Sequence, residues 1–139
     1  MTSLRFPDVN VWLAVAAPEH VHHTAAREWW ELESGRIAFC RFTQLGLLRL
    51  VTTAAAMGGQ PLTMAEAWGV YDRFFEDGRV TFLPEPAEVD RQFRQQASGG
   101  AASPKLWADA WLLAFAVTAA GEVVTFDRAL ATRGAPLLC

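Results

Sequence analysis

Apolar and polar positions alternate between two rhythms along this chain. Leu4–Pro7 is a short apolar run ending at Asp8, and Val9–Ala17 is apolar with a stop near Pro18. That pattern predicts a strand followed by a first helix. Val21, Ala25, Trp29 and Leu32 recur at helical spacing, so an amphipathic second helix is expected over His20–Glu33, ended by Ser34-Gly35. Ile37–Cys40 predicts a buried strand. Thr43 is expected to cap a helix to about Ala56, broken by Gly58-Gly59 and Pro61. Thr63 caps the next, whose apolar stripe is Met64, Trp68, Tyr71 and Phe75. Val80–Leu83 predicts a third strand, closed by Pro84 and Pro86, and Ala87–Ala97 a polar helix.

After a small-residue loop, Ala97–Ser103, the pair Ser103-Pro104 predicts a helix start. That helix runs to about Ala120 and Gly121 ends it. Glu122–Phe126 predicts a fourth strand ending at Asp127, then a helical turn and a last strand near Pro136–Leu138. Strands alternating with helices give an α/β fold with a mostly parallel sheet. Ligands in such sheets bind beyond the carboxyl ends of the strands, where the strand order reverses.

The chain has 139 residues, 52% hydrophobic and 19% charged, which suits one globular domain over 1–139. The formal net charge of −3 argues against a protein that coats nucleic acid non-specifically. It leaves room for a nuclease, whose metal site is itself acidic. Of the 12 basic residues only Lys105 is lysine. The two cysteines, Cys40 and Cys139, lack metal-type spacing, and Cys40 sits in an apolar run. Met1–Phe6 has no apolar signal core, and the longest apolar stretch, Ala110–Ala120, is far short of the ~20 residues that span a bilayer. A cytoplasmic protein is expected.

Three polar residues fall at the predicted edge: Asp8 after the first strand, Gln44 just past the second, and Asp127 after the fourth. Asp109 comes from the preceding helix and is the only charged side chain from Leu106 to Gly121. A lone carboxylate in so apolar a helix is costly to bury without a partner. Lys105, one turn earlier, is one candidate partner; a metal ion is a stronger one. Mg²⁺ suits hard oxygen ligands and keeps several waters, so two or three carboxylates suffice, and a water of lowered pKa can attack a phosphodiester. Taken singly, Asp8 and Asp127 also read as helix N-caps.

Four segments carry a resemblance. Phe6-Pro7-Asp8-Val9-Asn10-Val11-Trp12, Phe42-Thr43-Gln44-Leu45-Gly46, Trp107-Ala108-Asp109-Ala110-Trp111 and Val124-Thr125-Phe126-Asp127-Arg128 resemble, in order, the four motifs of PIN-domain toxins of the VapC type. The resemblance implies a PIN-like three-layer sandwich with four or five strands. It further implies a Mg²⁺- or Mn²⁺-dependent endoribonuclease, toxin of a type II toxin–antitoxin pair, with a VapB-type antitoxin and a homodimer. Asp8, Asp109 and Asp127 take the acidic metal-binding and catalytic positions. Asn10 and Thr125 become polar groups that orient them. Gln44 departs from the pattern, since many relatives carry Glu there; it keeps a carbonyl oxygen and loses the charge. That departure favours the competing reading, a catalytically silent PIN-like module that binds RNA or a protein. Glu66, Glu76 or Asp77 are candidates to compensate.

Arg41, Arg49 and Arg128 flank the edge as candidate phosphate contacts. His20, His22 and His23 lack further ligands for a zinc shell and read as a solvated helix end. Trp29, Trp68 and Trp107 read as core or dimer interface rather than base-stacking platforms. A phosphatase would want a second acid where Asn10 stands.

Overall fold

A computed structural model describes residues 3–138. Its elements run β1 (Leu4–Pro7), α1 (Val9–Ala16), α2 (His23–Leu32), β2 (Arg36–Phe39), α3 (Arg41–Val51), α4 (Met64–Phe74), β3 (Val80–Phe82), α5 (Val89–Gln96), α6 (Leu106–Thr118), β4 (Glu122–Val124) and α7 (Arg128–Ala131). The four strands form one sheet in the order β3-β2-β1-β4, with every neighbouring pair parallel. The chain steps outward from β1 through β2 to β3, then returns to the other side of β1 for β4. The order therefore reverses at β1, and the crevice expected of such a reversal lies beyond the ends of β1 and β4.

Helices cover both faces, which makes the three-layer sandwich. One core holds Trp12, Leu13, Trp30, Ile37, Phe39, Leu47 and Tyr71, supplied by α1 to α4 and by β2. Trp12 stacks on Phe39 at 3.6 Å between ring centroids and meets Trp30 edge-on. The other core holds Phe6, Val89, Leu112, Leu113, Phe115 and Val123, under α5 and α6. Phe6 meets Phe115 edge-on at 5.0 Å. Alternation of Phe6 and Ile37 with their neighbours to opposite faces follows from the strand period of two. At the amino ends of the strands Arg5 pairs with both Glu33 and Glu122, tying α2 to β4 across β1.

Several expected boundaries move. The second helix starts at His23, because residues 18–22 form turns in which His20 accepts from the His22 N–H. Thr43 is not a cap; Cys40 holds that position, and the Thr43 hydroxyl accepts from the Cys40 N–H and donates to its carbonyl. The same helix ends at Val51, with turns after it. Thr63 does cap α4, in a reciprocal box with Glu66. The Ser103-Pro104 start lies one turn early: Leu106 N–H bonds to the Ser103 carbonyl, and α6 begins at Leu106 without a side-chain cap. Ala120, not Gly121, takes the left-handed conformation past α6, at φ 58°. Gly121 is required for another reason. A Cβ there would stand 2.7 Å from the Phe6 ring and 2.9 Å from the Leu4 carbonyl. The fourth strand stops at Val124, and the expected last strand reduces to a parallel bridge between Thr125 and Leu137. Cys40 is buried, whereas Cys139 lies outside the described residues.

Candidate active site

Asp8 directly follows β1 and occupies the N-cap of α1. Its Oδ1 accepts from the Val9 N–H at 2.7 Å, and its own N–H bonds to the Val124 carbonyl at 2.9 Å. A cap needs extended backbone and a short acceptor side chain, and Asp8 supplies both, at φ −61° and ψ 157°. Asp127 caps α7 by accepting from the Ala129 N–H at 2.8 Å. Both cap readings of the sequence are therefore correct, and the two caps are joined. The fully buried Thr125 donates its hydroxyl to Asp8 Oδ2 at 3.1 Å and accepts from the Asp127 N–H at 2.8 Å. One hydroxyl thus joins the Asp8 carboxylate to the backbone of Asp127, far apart in the chain.

Asp109 stands in the first turn of α6, half-buried. Burial raises its pKa above the ordinary 3.8, and the charges of Asp127 and Asp8 raise it further. Burial also raises the pKa of Asp8; the hydrogen bonds from Val9 and Thr125 oppose that rise, and the charge of Asp127 adds to it. The three carboxylates feel one another, so the structure brings the predicted acidic residues to one edge. Among the described residues no three His, Cys, Asp or Glu side chains converge into a ready-made metal cage. The arrangement is an open group of hard oxygen donors.

The cation that eases Asp109 is Arg133, not Lys105. Nothing in the sequence singled out Arg133. It lies in the turn after α7, and only folding brings it beside a residue of α6. Asn10 is exposed in the first turn of α1, two residues from Asp8. Gln44 is buried in the first turn of α3, where its Oε1 accepts from the Arg41 guanidinium and its side chain shares a hydrogen bond with Tyr71. Glutamine suits that place, because its oxygen takes the guanidinium while its amide is free to meet a hydroxyl. Arg41 also lies 4.9 Å over the Phe82 ring. Arg49 is in the last turn of α3, about 12 Å along the axis from Arg41 at 1.5 Å per residue. Arg128 is exposed beside Asp127.

Glu66 is absorbed by the α4 cap and Asp77 by Arg79, so neither is directed to the edge. The histidines are structural: His23 Nδ1 bonds to the Ala14 carbonyl, and His22 stacks on Phe126 at 4.4 Å. Trp29 packs against the core as expected. Trp68 and Trp107 do not; they are 47% and 60% exposed. In α6 the buried residues are Ala110 and Leu112 to Ala116, while Trp107 in the first turn meets Phe93 edge-on.

Parallel strands, an order that reverses at β1 and carboxylates gathered beyond β1 and β4 define an α/β domain with an acidic edge. The family model for the PIN domain matches residues 5–135. Ribonuclease VapC41 of Mycobacterium tuberculosis is 44% identical over 133 residues, 91% of each chain. Ribonuclease VapC44 of the same organism is 33% identical over 136 residues, 93% of this chain and 89% of its own. The crystal structure of M. tuberculosis VapC20, a toxin that cleaves the sarcin–ricin loop, superposes with a TM-score of 0.65 at 12% identity, over 94% of this chain and 95% of that one. The chain belongs to the PIN-domain family, among its VapC-type members.

Proposed function

We propose that the chain, folded as one PIN-like domain, is a divalent-metal-dependent endoribonuclease that acts as the toxin of a toxin–antitoxin pair. The observation that carries this reading is the Thr125 hydroxyl, which ties Asp8 to Asp127 at the edge where Asp109 feels both. Mutually repelling, partly buried carboxylates are poorly accommodated until a cation offsets them. Their open arrangement suits Mg²⁺ or Mn²⁺, which keep several waters and need few protein ligands. Asp8, Asp109 and Asp127 would hold the ion. When bound, it supplies a water of lowered pKa and offsets charge on the leaving oxygen of the phosphodiester.

The chain's own residues do the rest. Thr125 holds Asp8 Oδ2 in place, and the α1 N-terminus holds Oδ1. Asn10 stands near enough in α1 to meet a bound water or substrate oxygen. Gln44, engaged with Arg41 and Tyr71, fixes the wall of the site rather than supplying charge. Arg41 and Arg128 are the phosphate contacts nearest the edge, with Arg49 further out. The likeness to VapC ribonucleases supports RNA as substrate and a VapB-type protein as the neutralising partner. A homodimer acting in the cytoplasm completes the reading. No helix among the described residues is long and apolar enough to cross a membrane.

The test is cleavage of structured RNAs by the purified protein with Mg²⁺, with EDTA, and in Asp8→Ala and Asp109→Ala. Metal-dependent cleavage lost in both variants, each still folded, is the expected result. Full activity in either overturns the site. No cleavage by a folded protein that binds neither Mg²⁺ nor Mn²⁺ leaves the silent RNA- or protein-binding module in its place.

A further inference from the structure

The first turn of α3 carries an arginine in a place that works against it. A cation at the amino end of a helix opposes the helix dipole, and no acidic residue in that turn offsets Arg41. Arg5, Arg27, Arg79 and Arg94 each meet a carboxylate. Among the described residues Arg41 meets none. Neutral groups hold it instead: its guanidinium donates to Gln44 Oε1 and lies 4.9 Å over the Phe82 ring. Gln44 is only 6% exposed and is itself fixed. With its oxygen given to Arg41, its amide is left to meet the buried Tyr71 and donates to the phenol oxygen. Tyr71 in turn packs on Phe39 of β2, at 4.8 Å between ring centroids. The exposed arginine thus stands on a buried, uncharged support.

That support lies at the same edge as the carboxylates. Arg5 pairs with Ile37 in the β1–β2 register, so Asp8 falls level with Cys40, the residue before Arg41. The same stretch of α3 packs on α1, where a Cβ at Gly46 would stand 2.5 Å from Val9 Cγ2. Phe42 meets Trp111 of α6, the helix that carries Asp109, at 5.5 Å. The guanidinium itself is drawn outward over β3, which lies two strand spacings, about 10 Å, from β1.

We propose that Gln44 and Tyr71 are positioning residues, which hold the Arg41 guanidinium with its charge unspent for an RNA phosphate next along the strand from the one that is cut. This role rests on the ribonuclease reading above. Glutamate in place of Gln44 would fit the same contacts, because the Tyr71 hydroxyl can turn to donate to a carboxylate oxygen. It would also pair with Arg41 and neutralise it before RNA arrives. The amide at position 44 therefore leaves the metal to the three aspartates and keeps a cation for the substrate. In a chain of net charge −3, a cation not spent on an internal pair is what a polyanion can use.

The experiment measures initial rates of cleavage of a single-stranded RNA against salt and against Mg²⁺, for Arg41→Ala, Gln44→Glu, their double variant and Tyr71→Phe, with thermal unfolding of each. Arg41→Ala should raise KM about tenfold with kcat little changed. It should also flatten the salt slope of kcat/KM by about 0.7 to 1, the loss of one phosphate contact. Gln44→Glu should do the same while its Mg²⁺ half-saturation stays at the wild-type value, and the double variant should lose no more than either single one. Tyr71→Phe keeps every charge, so it should raise KM by a few-fold and leave the slope as it was. Wild-type KM and slope in Arg41→Ala or in Gln44→Glu overturn the proposal. So does a Gln44→Glu loss that persists undiminished on the Arg41→Ala background, which would be general repulsion by an added charge. Tighter Mg²⁺ half-saturation in Gln44→Glu overturns it too, and assigns position 44 to the metal. Absence of any metal-dependent cleavage by the folded wild type overturns the ribonuclease reading and this role with it.

Discussion

Replacing Thr125 by Val removes one oxygen and leaves shape almost unchanged, so it isolates the bond that joins two acidic residues. Thr125 is fully buried and its hydroxyl makes two hydrogen bonds, to Asp8 Oδ2 at 3.1 Å and from the Asp127 N–H at 2.8 Å. A hydrogen bond to a charged group contributes ~1.5–3 kcal/mol net, and an orphaned N–H costs ~1–3 kcal/mol when water cannot reach it. Asp127 is exposed, so water recovers most of the second cost. The expected loss is therefore about 2–3 kcal/mol. For a chain of this length each kcal/mol moves Tm by roughly 3–5 °C, giving a drop of roughly 6–15 °C. Thr125→Ser keeps the hydroxyl and loses one methyl, for about 1 kcal/mol. Urea and thermal unfolding of the metal-free protein read both values, and RNA cleavage reads the consequence for Asp8. Thr125→Val should lose both stability and cleavage, and Thr125→Ser should keep most of each. If Thr125→Val unfolds within ~0.5 kcal/mol of the wild type, the hydroxyl does not hold the two caps together and the site geometry above is wrong.

Asp8 and Asp109 have pKa values raised above 3.8, so their protonated forms favour the fold and that contribution fades as pH rises through the raised values. Asp8→Asn removes the charge and keeps the cap oxygen. Relative to the wild type, its metal-free Tm should gain as pH rises from the ordinary carboxylate range through the raised value and then level off, and Mg²⁺ should stabilise the wild type alone. An advantage of the variant that shrinks as pH rises would contradict the sign. Gly46 carries no side chain because a Cβ would stand 2.5 Å from Val9 Cγ2, the residue after Asp8. Gly46→Ala should lose ~1–3 kcal/mol from crowding, partly offset by ~1 kcal/mol of helix propensity, and should slow cleavage by shifting Asp8. A more stable and fully active Gly46→Ala would show that α1 and α3 have slack.

Much of this was legible along the chain because each strand is marked by an apolar run and each site carboxylate by its position right after one. Asp8 and Asp127 fell at the edge on topology alone. Asp109 stood out as the one charge in an apolar helix. What stayed hidden was everything that depends on distant segments meeting. Arg133 has no local signature. The partner of Asp109 read from spacing was Lys105, whose neighbourhood on the helix surface is real but weak beside a charge delivered by the fold. Helix ends failed for a related reason. Thr43 is a good cap by type, but Cys40 reached the extended conformation first, as β2 ended, and Thr43 was left to close the box from inside the helix. Trp107 matched an apolar stripe, yet periodicity cannot tell how far a sheet extends beneath the first turn of a helix.

The return of β4 to the far side of β1 has a consequence in time. Asp8 is made 117 residues before its partner Thr125, and β1 has no neighbour on that side until Glu122–Val124 has left the ribosome. A growing chain can assemble β1, β2 and β3 with the helices above them, but it holds Asp8 without its hydroxyl donor and Asp109 without Asp127. Pairings this remote in sequence form late. Until β4 pairs with β1, the chain cannot present Asp8, Asp109 and Asp127 together.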